Sequence, residues 1–396
     1  MTHVVVPQAL IDRRDPVRLV VSGGGSGGHT FPAVAVVRAA RTAFRAHGLE
    51  LQPFWVGGER GVEAKVAAEE GVPFTAIPTG GTFRGSNRLS RLSSAVGRVP
   101  VGVREAVNIV RGIRPHAVLC TGGYASVPVG LAARLCHRPL LVHEQAVRVE
   151  LANRITMRGA ARVALSAEPT MDLLPERLRG RAVVTGNPLR PGLADGDARA
   201  APARLGWDGW TPSLPTVYVT GGSRGARHIN ELVTAALPEL LRYANVFHQA
   251  GAEPAGPVPA AVERLPPDLR PRYLARGFVG EELADLLALA DVVVSGGGCG
   301  TVGELTALGK PSVLVLPARP AGDERRRNAE HLAAHGAARV LVGEEAAPAR
   351  LVGELALLLT DPLRRSEMSA MARRLGRPGA AAALTNEVLA LCAAAS

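Results

Sequence analysis

Four times in this chain a short apolar run ends in a cluster of glycines and continues into a helix-like segment. Residues 18–22 lead into Gly23, Gly24, Gly25, Gly27 and Gly28, and residues 117–120 lead into Thr121-Gly122-Gly123-Tyr124. Residues 216–220 lead into Gly221, Gly222 and Gly225, and residues 291–295 into Gly296-Gly297-Gly298-Cys299-Gly300-Thr301. A strand, a glycine loop and a helix start make an anion site: the loop N–H groups and the helix dipole favour negative charge, and glycine lets the backbone come close. A single such turn is equally the signature of a tight strand-to-helix connection. Two in each half predict two similar α/β domains. In open α/β sheets the ligand lies beyond the carboxyl ends of the strands, so the expected arrangement is two such edges facing each other across a cleft.

The chain has 396 residues, 47% of them hydrophobic, which suits two α/β cores of about 200 residues each. No apolar run reaches the roughly 18 residues of a membrane span. The first residues, MTHVVVPQALIDRRD, lack a basic-then-apolar targeting pattern, so a cytoplasmic protein is expected. Cys120, Cys136, Cys299 and Cys392 have no metal-ligand spacing and read as free thiols. The net charge of +11 invites polyanionic ligands or surfaces, but aromatic residues make up only 4%. No basic run is interleaved with stacking rings, which argues against nucleic acid. Lys65 and Lys310 are the only lysines, so part of the basicity reflects arginine-rich composition.

Three further stretches stand out. Residues 79–114 are rich in arginine with one acid, Glu105, and are interleaved with Phe83, Leu89, Leu92, Val96, Val99 and Val101. That pattern fits either a basic amphipathic helix on an anionic membrane or an ordinary solvated face. His143-Glu144-Gln145 closes an apolar run, and a carboxylate beside a histidine at a strand end suits acid–base work or a plain surface pair. Residues 191–213 are rich in Pro, Gly, Ala and Asp, as linkers are. The Asp195-Gly196-Asp197 triplet within them has no strand before it and reads as solvated loop rather than a metal site.

The segments GGGSGGHTFPA, GGYASVPVGLAA, LVHEQ, TGNPLR, TGGSRGARHINE, RGFV and DVVVSGGGCGTVGELTALGKPSVLVLP occur in the order seen in the MurG family. The resemblance spans roughly residues 17–375. It implies the GT-B fold, with two Rossmann-like domains across a cleft: an acceptor and membrane-side domain at 1–190, a linker at 191–213, a donor domain at 214–375 and a helical tail at 376–396. It implies an inverting, metal-independent transfer of N-acetylglucosamine from UDP-N-acetylglucosamine to lipid-linked MurNAc-pentapeptide, with no cofactor, at the inner face of the cell membrane. On the donor side it implicates Glu304 for the ribose and Phe278 and Val279 for the uracil. Gly222, Ser223, Thr301 and Arg190 fall near the nucleotide, and Arg325 and Asn328 near the sugar. On the acceptor side it implicates Gly27, Gly28, Tyr124 and Gln145, with His29 or Glu144 as the base.

Two places depart from the family pattern. The HEQ turn is normally followed by Asn and a glycine-containing loop, whereas here Ala146-Val147-Arg148-Val149-Glu150 follows. Before Asn328-Ala329, where the family often carries glutamine, this chain has Arg325. Glutamine both donates and accepts, while arginine only donates and carries charge. Both changes fall where substrate identity is read. A related enzyme acting on another acceptor, such as a secondary metabolite, is therefore the alternative. A non-catalytic nucleotide-sugar-binding protein ranks below both, because His29 and Glu304 are retained.

Overall fold

The computed structural model describes residues 3–59, 61–79, 88–222, 225–251, 258–318 and 324–395, and in the helix from 88 onward the side chains beginning at 98. The chain divides into two compact units, Met1–Arg190 with Arg377–Ser396, and Pro191–Gly376.

The first unit is built on a seven-stranded sheet. Its strands are β1 (Val17–Ser22), β2 (Leu51–Gly58), β3 (Phe74–Ile77), β4 (Ala117–Cys120), β5 (Leu140–Glu144), β6 (Arg162–Leu165) and β7 (Ala182–Val184). They lie in the order β3-β2-β1-β4-β5-β6-β7, and every pairing is parallel. A parallel sheet must be covered on both faces, and alternation along β1 shows how. Val17, Leu19 and Val21 pack with Val34 and Val37 of helix Gly27–Ala46 and with Leu384 and Val388 of helix Ala380–Ala394. Val20 points the other way, to Val118, Val142, Ala106 and Val110.

The second unit carries β8 (Thr216–Thr220), β9 (Asn245–Gln249), β10 (Tyr273–Arg276), β11 (Val292–Ser295), β12 (Ser312–Leu316) and β13 (Arg339–Val342). Their order is β10-β9-β8-β11-β12-β13, again all parallel. In each sheet the order reverses at the first strand of the unit, between β1 and β4 and between β8 and β11. These are topological switch points, where the loops leave in opposite directions and open a crevice. The four glycine turns follow these four strands.

Several expectations are corrected. Residues 191–213 are not a free linker but the opening of the second unit. Trp207 buries its ring against Phe247 and donates its indole N–H to Pro271 O, and the Asn245 side chain clamps both the N–H and the C=O of Thr211. The Asp195-Gly196-Asp197 triplet is a solvated loop as expected, with both aspartates exposed, and local hydrogen bonds order Asp197. Its carboxylate accepts from the N–H groups of Arg199 and Ala200, and its own N–H donates to Asp285. The C-terminal segment is not a separate tail: helix Ala380–Ala394 completes one face of the first sheet, with Arg162 paired to Glu387 at 2.8 Å. The described residues of 79–114 include the helix Arg88–Ile113. Its C-terminal half turns Ala106 and Val110 into the core, and Arg98 is paired with Glu59 at 2.9 Å. Phe83 and Arg84, and the side chains of Arg88, Leu89, Arg91, Leu92 and Val96, lie outside the described residues.

Candidate active site

At the first switch point, helix Gly27–Ala46 starts at the glycines themselves, because Ser26 O accepts from both His29 N and Thr30 N. Pro32 therefore sits inside the helix rather than in its first turn. The glycine loop before it encloses an anion supplied by the protein. The carboxylate of Glu63, 1% exposed, accepts from Gly25 N at 3.0 Å and Gly58 N at 3.2 Å. A Cβ at Gly24 or Gly61 would strike that carboxylate. Part of the expected anion cradle is thus occupied internally, and no sequence signal had marked Glu63.

The turn after β4 closes on the same place. Thr121 Oγ1 donates to His29 O at 2.6 Å, and Gly122 has φ +101 with no room for a Cβ beside the His29 ring. Glycine is needed there on both counts. His29 Nδ1 lies 2.8 Å from Gln145 Oε1 and 3.2 Å from Thr121 O. Gln145 Nε2 donates to Thr121 O at 2.6 Å, which turns its oxygen toward the imidazole. Both neighbours of Nδ1 are acceptors, so in the neutral ring Nδ1 carries the proton and Nε2 the lone pair. Tyr124 is 41% exposed on the adjoining turn, and Gly27 and Gly28 lie in the first helical turn, where N–H groups have no partner within the helix.

The Glu144 carboxyl group stands at the end of β5. It is buried, and three donors hold its carboxylate: Ala146 N at 3.0 Å, Glu150 N at 2.9 Å and Asn153 Nδ2 at 2.9 Å. Burial, reinforced by the charge of Glu150, pushes it up to about 7. Both of its oxygens accept from the loop that follows β5 and from Asn153, so it orders that loop. His143 is buried beneath, its Nε2 bonded to Gly186 O at 3.0 Å, and burial holds it down at about 4. Arg190 ends the unit with its guanidinium 4.5 Å above the Phe31 ring, a cation–π contact.

At the second switch point, Gly222 (φ +83) follows β8, while Ser223 lies outside the described residues. After β11, Gly298 caps helix Cys299–Leu308 in extended conformation, with nothing near the position of a Cβ. Gly297 has no such room, since a Cβ there would meet Arg325 O. Asn328, buried, donates to Gly297 O at 3.0 Å and so sets the loop from helix Glu324–Ala334. Thr301 and Glu304 stand three residues apart on helix Cys299–Leu308, on one face. Phe278 is 55% exposed while the neighbouring Val279 is buried. Arg325 is exposed on the first turn of its helix and lowers the nearby His228, which is held down chiefly by burial. His228 was not foreseen. It follows the third glycine loop, and its chain position alone distinguishes it from no other histidine.

Among the described residues no group of histidine, cysteine or carboxylate side chains could hold a metal, and no helix is long and apolar enough to cross a membrane. Residues 19–165 match the glycosyltransferase family 28 N-terminal domain, and residues 216–384 match the glycosyltransferase family 28 C-terminal domain. The UDP-N-acetylglucosamine–N-acetylmuramyl-(pentapeptide) pyrophosphoryl-undecaprenol N-acetylglucosamine transferase of Pseudomonas entomophila is 36% identical over 381 residues, covering 96% of this chain and 98% of the relative. The protein of the same name from Listeria monocytogenes is 32% identical, covering 95% and 99%. The crystal structure of Acinetobacter baumannii MurG superposes with a TM-score of 0.69 at 25% identity, covering 94% of this chain and 99% of that one. The glycotransferase of kitacinnamycin, at 18% identity and a TM-score of 0.64, shares the fold.

Proposed function

The chain belongs to glycosyltransferase family 28 and has its GT-B fold, and on that premise we propose that it transfers N-acetylglucosamine from UDP-N-acetylglucosamine to lipid-linked N-acetylmuramyl-pentapeptide. The observation that carries the reading is likeness over nearly the whole length of both chains to transferases of that name. In this reading the UDP-sugar lies on the second unit. Glu304 accepts from the ribose hydroxyls, Phe278 lies against the uracil, and Thr301 and the start of helix Cys299–Leu308 face the diphosphate. Ser223, Gly222 and Arg190 complete the nucleotide's surroundings, with Arg325 and Asn328 toward the sugar. Gly27, Gly28, Tyr124 and Gln145 surround the acceptor.

The reaction is a single displacement with inversion. The acceptor hydroxyl gives its proton to His29 Nε2 and its oxygen bonds to the anomeric carbon. The bond from that carbon to the diphosphate breaks, and its electron pair leaves on UDP. Charge grows on the leaving phosphate, where helix N–H groups stabilise it without a metal ion. The protein works at the cytoplasmic membrane surface, reached peripherally. The test is purified protein with UDP-N-acetylglucosamine and lipid-linked acceptor, with and without EDTA, products read by mass spectrometry. Disaccharide product in both arms is expected. Turnover only on soluble acceptors would replace this reading with that of a related enzyme of other substrate, and loss in EDTA restored by magnesium would end the metal-free mechanism.

A further inference from the structure

The five residues after Gln145 leave a carboxylate where the family-like loop of the sequence gives no reason to expect one. Glu150 is the residue before helix Leu151–Thr156, and its side chain returns toward the first glycine loop. Its Oε2 lies 3.8 Å from His29 Nε2, with the two side chains 24% and 16% exposed. Glu150 is held at its own backbone: its N–H donates to Glu144 Oε2 at 2.9 Å, and Glu144 is fixed in turn by Ala146 N and Asn153 Nδ2. The other imidazole nitrogen is committed to Gln145 and Thr121. The histidine that faces the acceptor is therefore gripped on one nitrogen and overlooked by a carboxylate on the other.

We propose that Glu150 is a positioning residue for His29, acting on the imidazolium that forms when His29 takes the acceptor's proton. Resting on the transfer reaction above, the argument concerns which state the contact favours. With Nε2 unprotonated, its lone pair faces a carboxylate oxygen at a separation too long for a hydrogen bond, and the contact contributes nothing attractive. Once the hydroxyl proton is on Nε2, the same two groups become an ion pair in a partly water-excluded site. An interaction that appears only as the proton moves lowers the barrier without tightening substrate binding. The carboxylate takes no proton itself. It orients the ring and stabilises its charge, while the acceptor oxygen bonds to the sugar and the diphosphate departs.

The test compares wild type, Glu150→Gln, Glu150→Asp and His29→Gln, alone and combined, by steady-state transfer assay. In Glu150→Gln, kcat falls by about tenfold to a hundredfold, less than the roughly 10²–10⁴-fold that a general base itself contributes, and KM for the UDP-sugar changes less than about twofold. Glu150→Asp recovers part of the loss, and Glu150→Gln adds little in the His29→Gln background. An unchanged kcat, a loss confined to KM, or an undiminished loss without His29 would overturn the proposal. A second readout needs no acceptor, so it separates this proposal from the choice of substrate. The ring 15N signals of His29, identified by their absence in His29→Gln, shift in Glu150→Gln and less in Glu150→Asp. Unmoved signals mean that Glu150 does not face the imidazole, whatever the enzyme glycosylates. If Glu150→Gln fails to fold by circular dichroism, Glu150→Asp decides both readouts.

Discussion

The backbone N–H of Gly25 donates to Oε2 of Glu63 at 3.0 Å, from a carboxylate that is itself buried beneath the loop. The other oxygen accepts from Gly58 at the end of β2. One side chain thus ties the first glycine loop to the neighbouring strand, and the glycines around it are small because the carboxylate fills their space. Replacing it, Glu63→Ala, leaves two N–H groups without their acceptor, each costing about 1–3 kcal/mol if it stays buried. The expected result is an unfolding free energy lowered by about 2–6 kcal/mol for the two groups together, read as a lower urea midpoint at unchanged slope, with helix Gly27–Ala46 starting later. A midpoint equal to wild type would show that water replaces the carboxylate without cost.

A second expectation follows from the buried histidine beneath the site. Burial places His143 at about 4 in the folded chain, against an ordinary 6.5 when unfolded. A depressed value means that the unfolded chain binds the extra proton first. The contribution to stability is therefore fully present above pH 6.5 and lost as pH falls toward 4, a loss of up to about 3 kcal/mol. Glu144 shifts the opposite way, up to about 7, so its contribution is present below its ordinary 4.5 and lost as pH rises toward 7. The two oppose each other in the wild type. His143→Gln keeps a donor for Gly186 O and removes only the first effect. Relative to wild type, the variant should gain stability between pH 7 and pH 5 in matched urea titrations. Parallel curves at the two pH values would contradict the assignment.

On the donor side, Glu304 shares a face with Thr301 one turn above the start of helix Cys299–Leu308. Glu304→Ala should weaken UDP binding by about 1–3 kcal/mol, the worth of a charged acceptor for hydroxyl donors. Calorimetry with UDP alone reads this without any acceptor. An unaltered affinity would remove Glu304 from the nucleotide site.

The membrane expectation divides along helix Arg88–Ile113. Arg98 already pairs with Glu59, and the last turns are packed in the core. Binding to anionic lipid should therefore rest on Arg84, Arg88 and Arg91, each contributing about 1 kcal/mol at most. The protein is expected to float with vesicles containing phosphatidylglycerol or cardiolipin, and to be released by salt. Charge reversal at those three positions should abolish flotation, whereas Arg98→Glu alone should leave most of it. Equal flotation with neutral vesicles would point to an apolar anchor instead.

How much was legible in the sequence differs between the two halves of the site. Strands β1, β4, β8 and β11 announce themselves as apolar runs because a central parallel strand is buried on both faces. The glycine turns announce the chain's direction change and the close backbone approach at their ends. Strand β13 and the helix Pro348–Leu359 were not foreseen: Arg339 interrupts the short edge run, and its role is to pair at 2.8 Å with Glu354, a buried carboxylate from that helix. On the donor side, Thr301 and Glu304 could be placed on one helix face from their spacing alone.

By itself the sequence determined the two-domain α/β plan, the four glycine turns and the residue types gathered around them, since periodicity and glycine's backbone freedom are local properties. Only the tertiary structure decided what each carboxylate does. Glu63, Glu144 and Glu150 are alike as letters in the chain. One is sealed under a glycine loop, one is saturated by three donors, and one lies beside the open nitrogen of His29. The physical reason is that the role of a carboxyl group depends on which donors reach it and how much water remains. Those partners come from segments up to 121 positions away, as Glu150 is from His29. Packing brings them together, and no local pattern records it.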